Sequence, residues 1–425
     1  MGSPGPVGVI DTARAMCYYW REVIYMDVLT SLLRAGLALF LALGQAFVFV
    51  VAASNSAATL DTVPDSHYRD ASAALCDPDA TPEARALMAW LKAQYGTYTL
   101  SGNYISPYND YSRAVFRDAD GNLDVRLSNE LFVVSRVTGK YPAILGLDYT
   151  NVELPGWRDW MTLQALQWHG LGGIVTFCWH WKIPKNPEAL AKPFESMNGD
   201  DAAFYTKDIG GFDLAAVLAD PESRYHQWIL HSIDAVATQL LRLQEAGVPV
   251  LWRPLHEAAG GWFWWGTDRE ACIELYKLVY ERLVNTHGLH NLIWVWNGQN
   301  PHWYPGDEYV DMLADDPYND NFLDRGFSRR FKYTRRAAPG KMVGMSENNK
   351  LFRLDSAWAM NTKWLYFVLW DREMILKCDP DPANNPEAGG DGFLREYLDK
   401  YNSEEALRET YNDERVITLD GMPRW

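Results

Sequence analysis

Two glutamates stand where short apolar runs give out among tryptophans. Glu257 closes the run Val250-Leu251-Trp252-Arg253-Pro254-Leu255-His256-Glu257, which leads into Gly260-Gly261-Trp262-Phe263-Trp264-Trp265-Gly266. Glu347 lies in Met342-Val343-Gly344-Met345-Ser346-Glu347-Asn348-Asn349. A carboxyl pair among aromatic rings is equipment for cutting a glycosidic bond. One carboxyl protonates the leaving oxygen while the other attacks the sugar or activates water. Tryptophan faces are flat and apolar, which suits the stacking of sugar rings.

That chemistry needs elements to hold it. Eight short apolar runs read as strands: 97–103, 142–148, 173–180, 248–255, 291–297, 309–315, 342–347 and 364–370. Helix-like segments lie between them, among them 226–245 and 270–286, and a further helix is expected over 82–94 with Pro82 in its first turn. Short apolar strands separated by helices favour a parallel sheet. Eight such units predict a single (β/α)8 TIM barrel, an α/β fold whose chemistry sits at the C-terminal ends of its strands. Glu257 and Glu347 then fall at the ends of the fourth and seventh strands. Asp148, His180, Asn297, Tyr318 and Trp370 also fall at or just beyond strand ends. Residues 181–224 form a long insertion with Pro184, Pro187 and Pro193, expected as a loop wall of the cleft and not a separate domain.

Composition narrows the partners. The 425 residues carry a net charge of −16, so nucleic acid and anionic membrane surfaces are repelled. The 19 tryptophans and 23 tyrosines exceed what packing alone requires and suggest a ligand-stacking groove. Residues 35–53 are apolar and uncharged, with small residues Ala57 and Ala58 following, which resembles a secretory signal. The run is also long enough to span a bilayer, so a cleaved signal and an uncleaved anchor both stay open. Met26 is a candidate start. Either way the catalytic part is expected outside the cytoplasm. Residues 1–58 are thus expected as extension and leader, 59–84 as linker and 85–425 as the catalytic barrel. Cys17, Cys76, Cys178, Cys272 and Cys378 show no metal-ligand spacing, and Cys178 is expected as a small buried residue.

The motifs WRPLHEAAGGWFWWG, NLIWVWNGQNPHWYPGDEYVDMLADDPYN and GMSENN, with YPAILGLDYTNV and GGIVTFCWHW before them, strongly resemble glycoside hydrolase family 26, the β-mannanase family. The resemblance covers roughly residues 85–425. It implies a (β/α)8 barrel and a retaining endo-hydrolase of β-1,4-mannans, without cofactor or metal. It assigns Glu257 as acid/base and Glu347 as nucleophile. His180 and His256 are expected to contact the sugar, Trp262 and Trp370 to stack on it, and Tyr318 to contact the nucleophile. Arg253 and Tyr318 are the expected donors that keep Glu347 ionised, with Asp316 holding Arg253 or Tyr318. Asp148 is open between sugar contact and a hydrogen bond at the barrel mouth. Trp265 and Trp296 are weaker candidates, because a strand tryptophan can simply fill the barrel. Two departures concern Ala258-Ala259, where the family often has a polar residue, and Asn348-Asn349, where a glycine is often second.

The expected partner is β-mannan or its oligosaccharides, and the protein is expected to be a monomer. Three rival readings remain. His180, His256, Glu257 and Asp316 could gather around zinc, although no HExxH spacing is present. A non-catalytic carbohydrate-binding barrel is the second, disfavoured because both carboxyls are kept. The third is the same mechanism on β-1,3-xylan or mixed-linkage β-glucan.

Overall fold

The computed structural model describes residues 63–109, 111–157, 159–318, 326–379 and 392–423. The expected leader, Cys17, Met26 and the first four linker residues lie outside these. Eight strands carry the fold: β1 (Thr99–Tyr104), β2 (Ile144–Asp148), β3 (Ile174–Cys178), β4 (Val250–Arg253), β5 (Leu292–Trp296), β6 (Met312–Asp315), β7 (Val343–Asn348) and β8 (Tyr366–Leu369). Each pairs in parallel with the next. β8 returns to β1, with Leu100 opposite Tyr366 and Asn103 opposite Leu369, so the sheet closes into a barrel. All eight expected strands are present; each loses one to four of its expected residues, and β1 and β7 run one residue further at their C-terminal ends. Apolar residues such as Ala143, Val248, Leu255, Val310 and Leu365 lie outside the ladders yet stay buried in the packed connections.

Helices cover the barrel where the sequence supplies a start signal and an apolar stripe. α1 (Pro82–Gln94) has Pro82 at its first position, and the Thr81 hydroxyl accepts from the Ala84 amide at 3.2 Å. α2 (Asn129–Thr138) ends at Gly139 in the left-handed region, φ 77°. α3 (Trp160–Gly170) packs against α4 (Arg224–Glu245). α4 is capped by Ser223 and buries Trp228, Ile229, Ile233, Val236, Ala237, Leu240 and Leu243 along one face. α5 (Arg269–Glu281) is capped by Asp268, and a π turn over Arg282–Thr286 completes the helical stretch expected to 286.

Two connections depart from a strict strand–helix alternation. Between β5 and β6 there are only short 3₁₀ turns, Pro301–Trp303 and Asp307–Tyr309. Pro301, Pro305 and Gly306 leave no uninterrupted stretch in which a helix could nucleate. The second departure is the insertion after β3. It folds a two-stranded ribbon, Ile183–Pro184 against Ala202–Ala203, and leans on the β4 loop through the Tyr205–Phe263 bridge. It therefore forms a wall of the barrel mouth, as expected.

The expected linker is not loose where it is described. Asp65–Asp70 forms a helix that buries His67 and Tyr68. The His67 ring meets the Tyr95 hydroxyl at 2.7 Å, and the Tyr68 hydroxyl donates to the Asn361 carbonyl at 2.8 Å. The Asp, Pro and Ser content suggested solvent, but Val63, Tyr68 and Ala71 supply enough apolar surface to dock it. Cys76, Cys178 and Cys272 are free thiols, and Cys178 is fully buried. No helix among the described residues is long and apolar enough to cross a membrane.

Candidate active site

The C-terminal ends of β1, β4, β6 and β7 converge on one buried arginine. Gly146 on β2 makes room for this, because a Cβ there would lie 2.5 Å from the Tyr104 ring. Tyr104 can then lie inside the barrel, where its hydroxyl accepts from Arg253 Nη2 at 3.0 Å. Arg253 has no solvent exposure. Its Nη1 donates to Asp316 Oδ2 at 2.9 Å, and its Nη2 also donates to Glu347 Oε1. Asp316 accepts in turn from the Ser346 hydroxyl at 2.9 Å, which accepts from Asn297 at 2.8 Å. Burial opposes the charge on Arg253, but Asp316, Tyr104 and Glu347 outweigh it and hold the guanidinium firmly cationic.

Glu347 thus receives a cationic donor on one oxygen. Its other oxygen accepts from the Tyr318 hydroxyl at 3.0 Å. Burial and the adjacent Glu347 push the Tyr318 phenol well above its ordinary range, so it stays protonated and donates. Both expected donors to Glu347 are therefore in place, and Asp316 holds Arg253.

Glu257 lies four residues beyond β4, in a tight loop where Leu255 (φ 51°) and Glu257 (φ 53°) adopt left-handed backbone. Strain of this kind persists only where the surroundings enforce it. Here the Glu257 amide donates to the Asn297 carbonyl at 2.7 Å. The carboxyl accepts from Trp262 Nε1 at 2.9 Å and Gln299 Nε2 at 3.2 Å. Burial, followed by the negative Asp316 and Glu347, pushes its pKa well above the ordinary carboxylate range, and Arg253 and Trp262 oppose this. One oxygen each of Glu257, Asp316 and Glu347 lie within 4.8 Å of one another. The site therefore holds two glutamates of opposite character, one pushed toward the acid form and one surrounded by donors.

Aromatic rings surround this pair. Trp262 is 43% exposed and offers an open face at the cleft. Trp370 is half-buried, 4.6 Å from Tyr104 and 5.7 Å from His180 between ring centroids. Asp148 binds His180 twice, accepting from its amide at 3.1 Å and meeting its Nδ1 at 2.8 Å. Asp148 therefore makes the hydrogen bond at the barrel mouth and orients His180. Trp265 and Trp296 are buried, and Trp265 donates to the His256 carbonyl at 2.9 Å, so both are packing residues.

His256 departs from expectation. Its ring is fully enclosed, 5.0 Å from Phe263 and 4.6 Å from His180, so it does not face the cleft. Neither ring nitrogen has a hydrogen-bond partner among the described residues. Burial and Arg253 lower its pKa well below the usual histidine value and keep it neutral. The left-handed turn at Leu255 folds the loop so that Phe263 and Trp265 close over it. Nor do the four residues weighed as zinc ligands form one cluster among the described residues. Glu257 and Asp316 group with Glu347, whereas His180 groups with Asp148 and Cys178.

A family model, Glycosyl hydrolase family 26, matches residues 76–380, more than two thirds of the chain. The chain belongs to glycosyl hydrolase family 26. A mannan endo-1,4-beta-mannosidase of Thermothelomyces thermophilus is 34% identical over 368 residues, covering 83% of this chain and 64% of that one. A Podospora anserina GH26-CBM35 beta-(1,4)-mannanase structure is 32% identical with a TM-score of 0.62, covering 83% and 69%. A ruminal GH26 endo-beta-1,4-mannanase structure is 29% identical with a TM-score of 0.70, covering 85% and 72%. The chain spans less than two thirds of the length of the first curated relatives that it matches.

Within this family 26 barrel, four contributing residues carry little signal in the sequence. Tyr104 ends β1, and that position was its only signal. Gln299 lies inside the WNGQN motif, but its left-handed backbone (φ 58°) and its reach to Glu257 are invisible in one dimension. Phe204 and Tyr205 come from the insertion, where the Thr206 amide donates to the Trp262 carbonyl at 2.8 Å and so braces the exposed tryptophan.

Proposed function

We propose that this chain is a retaining endo-β-1,4-mannanase acting on mannan, glucomannan or galactomannan. The observation that carries the reading is the close approach of Glu257 and Glu347 oxygens, within 4.8 Å, in opposite electrostatic settings. Retaining glycosidases hold their carboxyls about 5–5.5 Å apart, whereas inverting ones leave room for a water at about 6.5–9.5 Å. In the first step Glu347 attacks the anomeric carbon as Glu257 gives its proton to the leaving oxygen. In the second, Glu257 as carboxylate takes a proton from water, which breaks the glycosyl ester and frees Glu347. Arg253 and Tyr318 release their hold on the nucleophile charge as the ester forms and regain it on hydrolysis. Trp262 and Trp370 would stack on sugars at the cleavage point, with His180 presenting Nε2 to the glycone side.

Support for β-mannan as substrate comes from the mannanase relatives and from the aromatic cleft on an anionic protein, which suits a neutral polymer. The apolar run 35–53 supports placement outside the cytoplasm. The test is reducing-end release from β-1,4-mannan, galactomannan, β-1,3-xylan and mixed-linkage β-glucan, with Glu257→Ala and Glu347→Ala as controls. Activity on the mannans that disappears in both variants is the expected result. Activity that survives Glu347→Ala would overturn the mechanism, and activity confined to xylan or β-glucan would overturn the substrate.

A further inference from the structure

Gln299 holds a left-handed backbone, φ 58°, that a long side chain adopts reluctantly. Glycine would sit there without strain. The side chain, however, reaches the carboxyl of Glu257: its Nε2 stands 3.2 Å from Oε1 and 3.5 Å from the Asp316 carbonyl. Backbone contacts fix the same approach. The Glu257 amide donates to the Asn297 carbonyl at 2.7 Å and the Ala259 amide to the Gly298 carbonyl at 3.1 Å. Residues 297–299 therefore grip the Glu257 loop by main chain and side chain together.

We infer that Gln299 is a positioning residue for the acid/base, holding the Oε1 end of the Glu257 carboxyl in both protonation states while Trp262 holds Oε2. The inference rests on the reading of Glu257 as the acid/base. A double displacement requires that carboxyl to be an acid in one step and a carboxylate in the next. The indole of Trp262 can only donate, so it serves one form better than the other. A primary amide serves both. Its NH₂ donates to the carboxylate, and after rotation its carbonyl oxygen accepts from the acid.

The charges facing Glu257 determine the direction of the effect. Asp316 and Glu347 disfavour its ionisation, Arg253 and Arg330 favour it, and the phenols of Tyr205 and Tyr318 stay neutral. In this setting the Gln299 donor stabilises the carboxylate. Without it the proton is held more tightly.

The test uses Gln299→Met and Gln299→Gly in the whole chain, with kcat/KM measured against pH on mannan and on a dinitrophenyl β-mannobioside. Dinitrophenolate departs without a proton, so its release does not need the acid. The alkaline limb on mannan should move up by about one pH unit. Mannan kcat/KM at neutral pH should fall about tenfold, with the dinitrophenyl substrate nearly unaffected. Gln299→Gly should melt no lower than the parent, since it relieves strain. An unmoved limb, or equal losses on both substrates, would reduce Gln299 to a loop residue and overturn the inference. Glu257→Ala is run beside them. If that variant keeps full activity on mannan, the acid/base reading itself fails, a result distinct from a failure at Gln299.

Discussion

Arg253 and Asp316 meet at 2.9 Å inside the barrel with both side chains wholly removed from solvent. The pair does not stand alone. The same guanidinium holds Glu347 and Tyr104, and Asp316 is further held by Ser346. A buried ion pair is retained at a desolvation cost, and removing one partner strands the other charge. Here that cost serves position, because the arginine is the common ligand of three groups from three different strands and loops.

Arg253→Met should therefore destabilise the fold by about 3–5 kcal/mol, because it leaves Asp316 buried without its cation. Urea unfolding monitored by tryptophan fluorescence measures this directly. A loss below about 1 kcal/mol would mean that water reaches the pair and that the network is weaker than its burial implies.

Tyr318→Phe removes one of the two donors to Glu347 and leaves the ring in place. A hydrogen bond to a charged group is worth about 1.5–3 kcal/mol, so kcat should fall about 10- to 100-fold. KM for mannan should change little, since the hydroxyl addresses the nucleophile. A raised KM with unchanged kcat would place the tyrosine in ground-state binding instead.

Gly146→Ala puts a methyl group 2.5 Å from the Tyr104 ring in a closed barrel interior. Overpacking of this kind costs about 1–3 kcal/mol. Because Tyr104 is a ligand of Arg253, activity should fall with stability. The double variant Gly146→Ala with Tyr104→Leu should recover much of the lost stability but not the activity. Recovery of neither would break the proposed link between the glycine and the arginine.

His67 ties the N-terminal helix to the barrel, and burial, reinforced by Arg335, lowers its pKa from 6.5 to about 4. In the unfolded chain it takes up a proton as pH falls through 6.5, whereas in the folded chain it resists until about 4. The unfolded state therefore gains on acidification. Stability contributed by neutral His67 is full above pH 6.5 and declines toward pH 4, by about 3 kcal/mol in the limit. Unfolding free energies at pH 7 and pH 4.5 should differ less in His67→Phe than in the parent. An identical difference would assign the acid sensitivity elsewhere.

The sequence alone determined the barrel and the two glutamates. Strand periodicity, caps such as Thr81 with Pro82, and carboxyls at strand ends are local patterns, and local patterns can be read residue by residue. Its motifs also pointed to Arg253, Tyr318 and Asp316 around Glu347, and these side chains meet there: Arg253 and Tyr318 donate to Glu347, and Asp316 accepts from Arg253. Only the tertiary structure decided which side of the wall each group faces. His256 adjoins Glu257 in sequence yet is sealed beneath Phe263 and Trp265, because left-handed backbone at Leu255 and Glu257 turns neighbouring side chains apart. Gln299 lies 42 residues from Glu257 and touches it, and Asp148 reaches His180 across the pairing of β2 with β3. Such relations depend on barrel closure and loop packing, which sum many weak contacts between distant segments, and spacing along the chain carries no record of them.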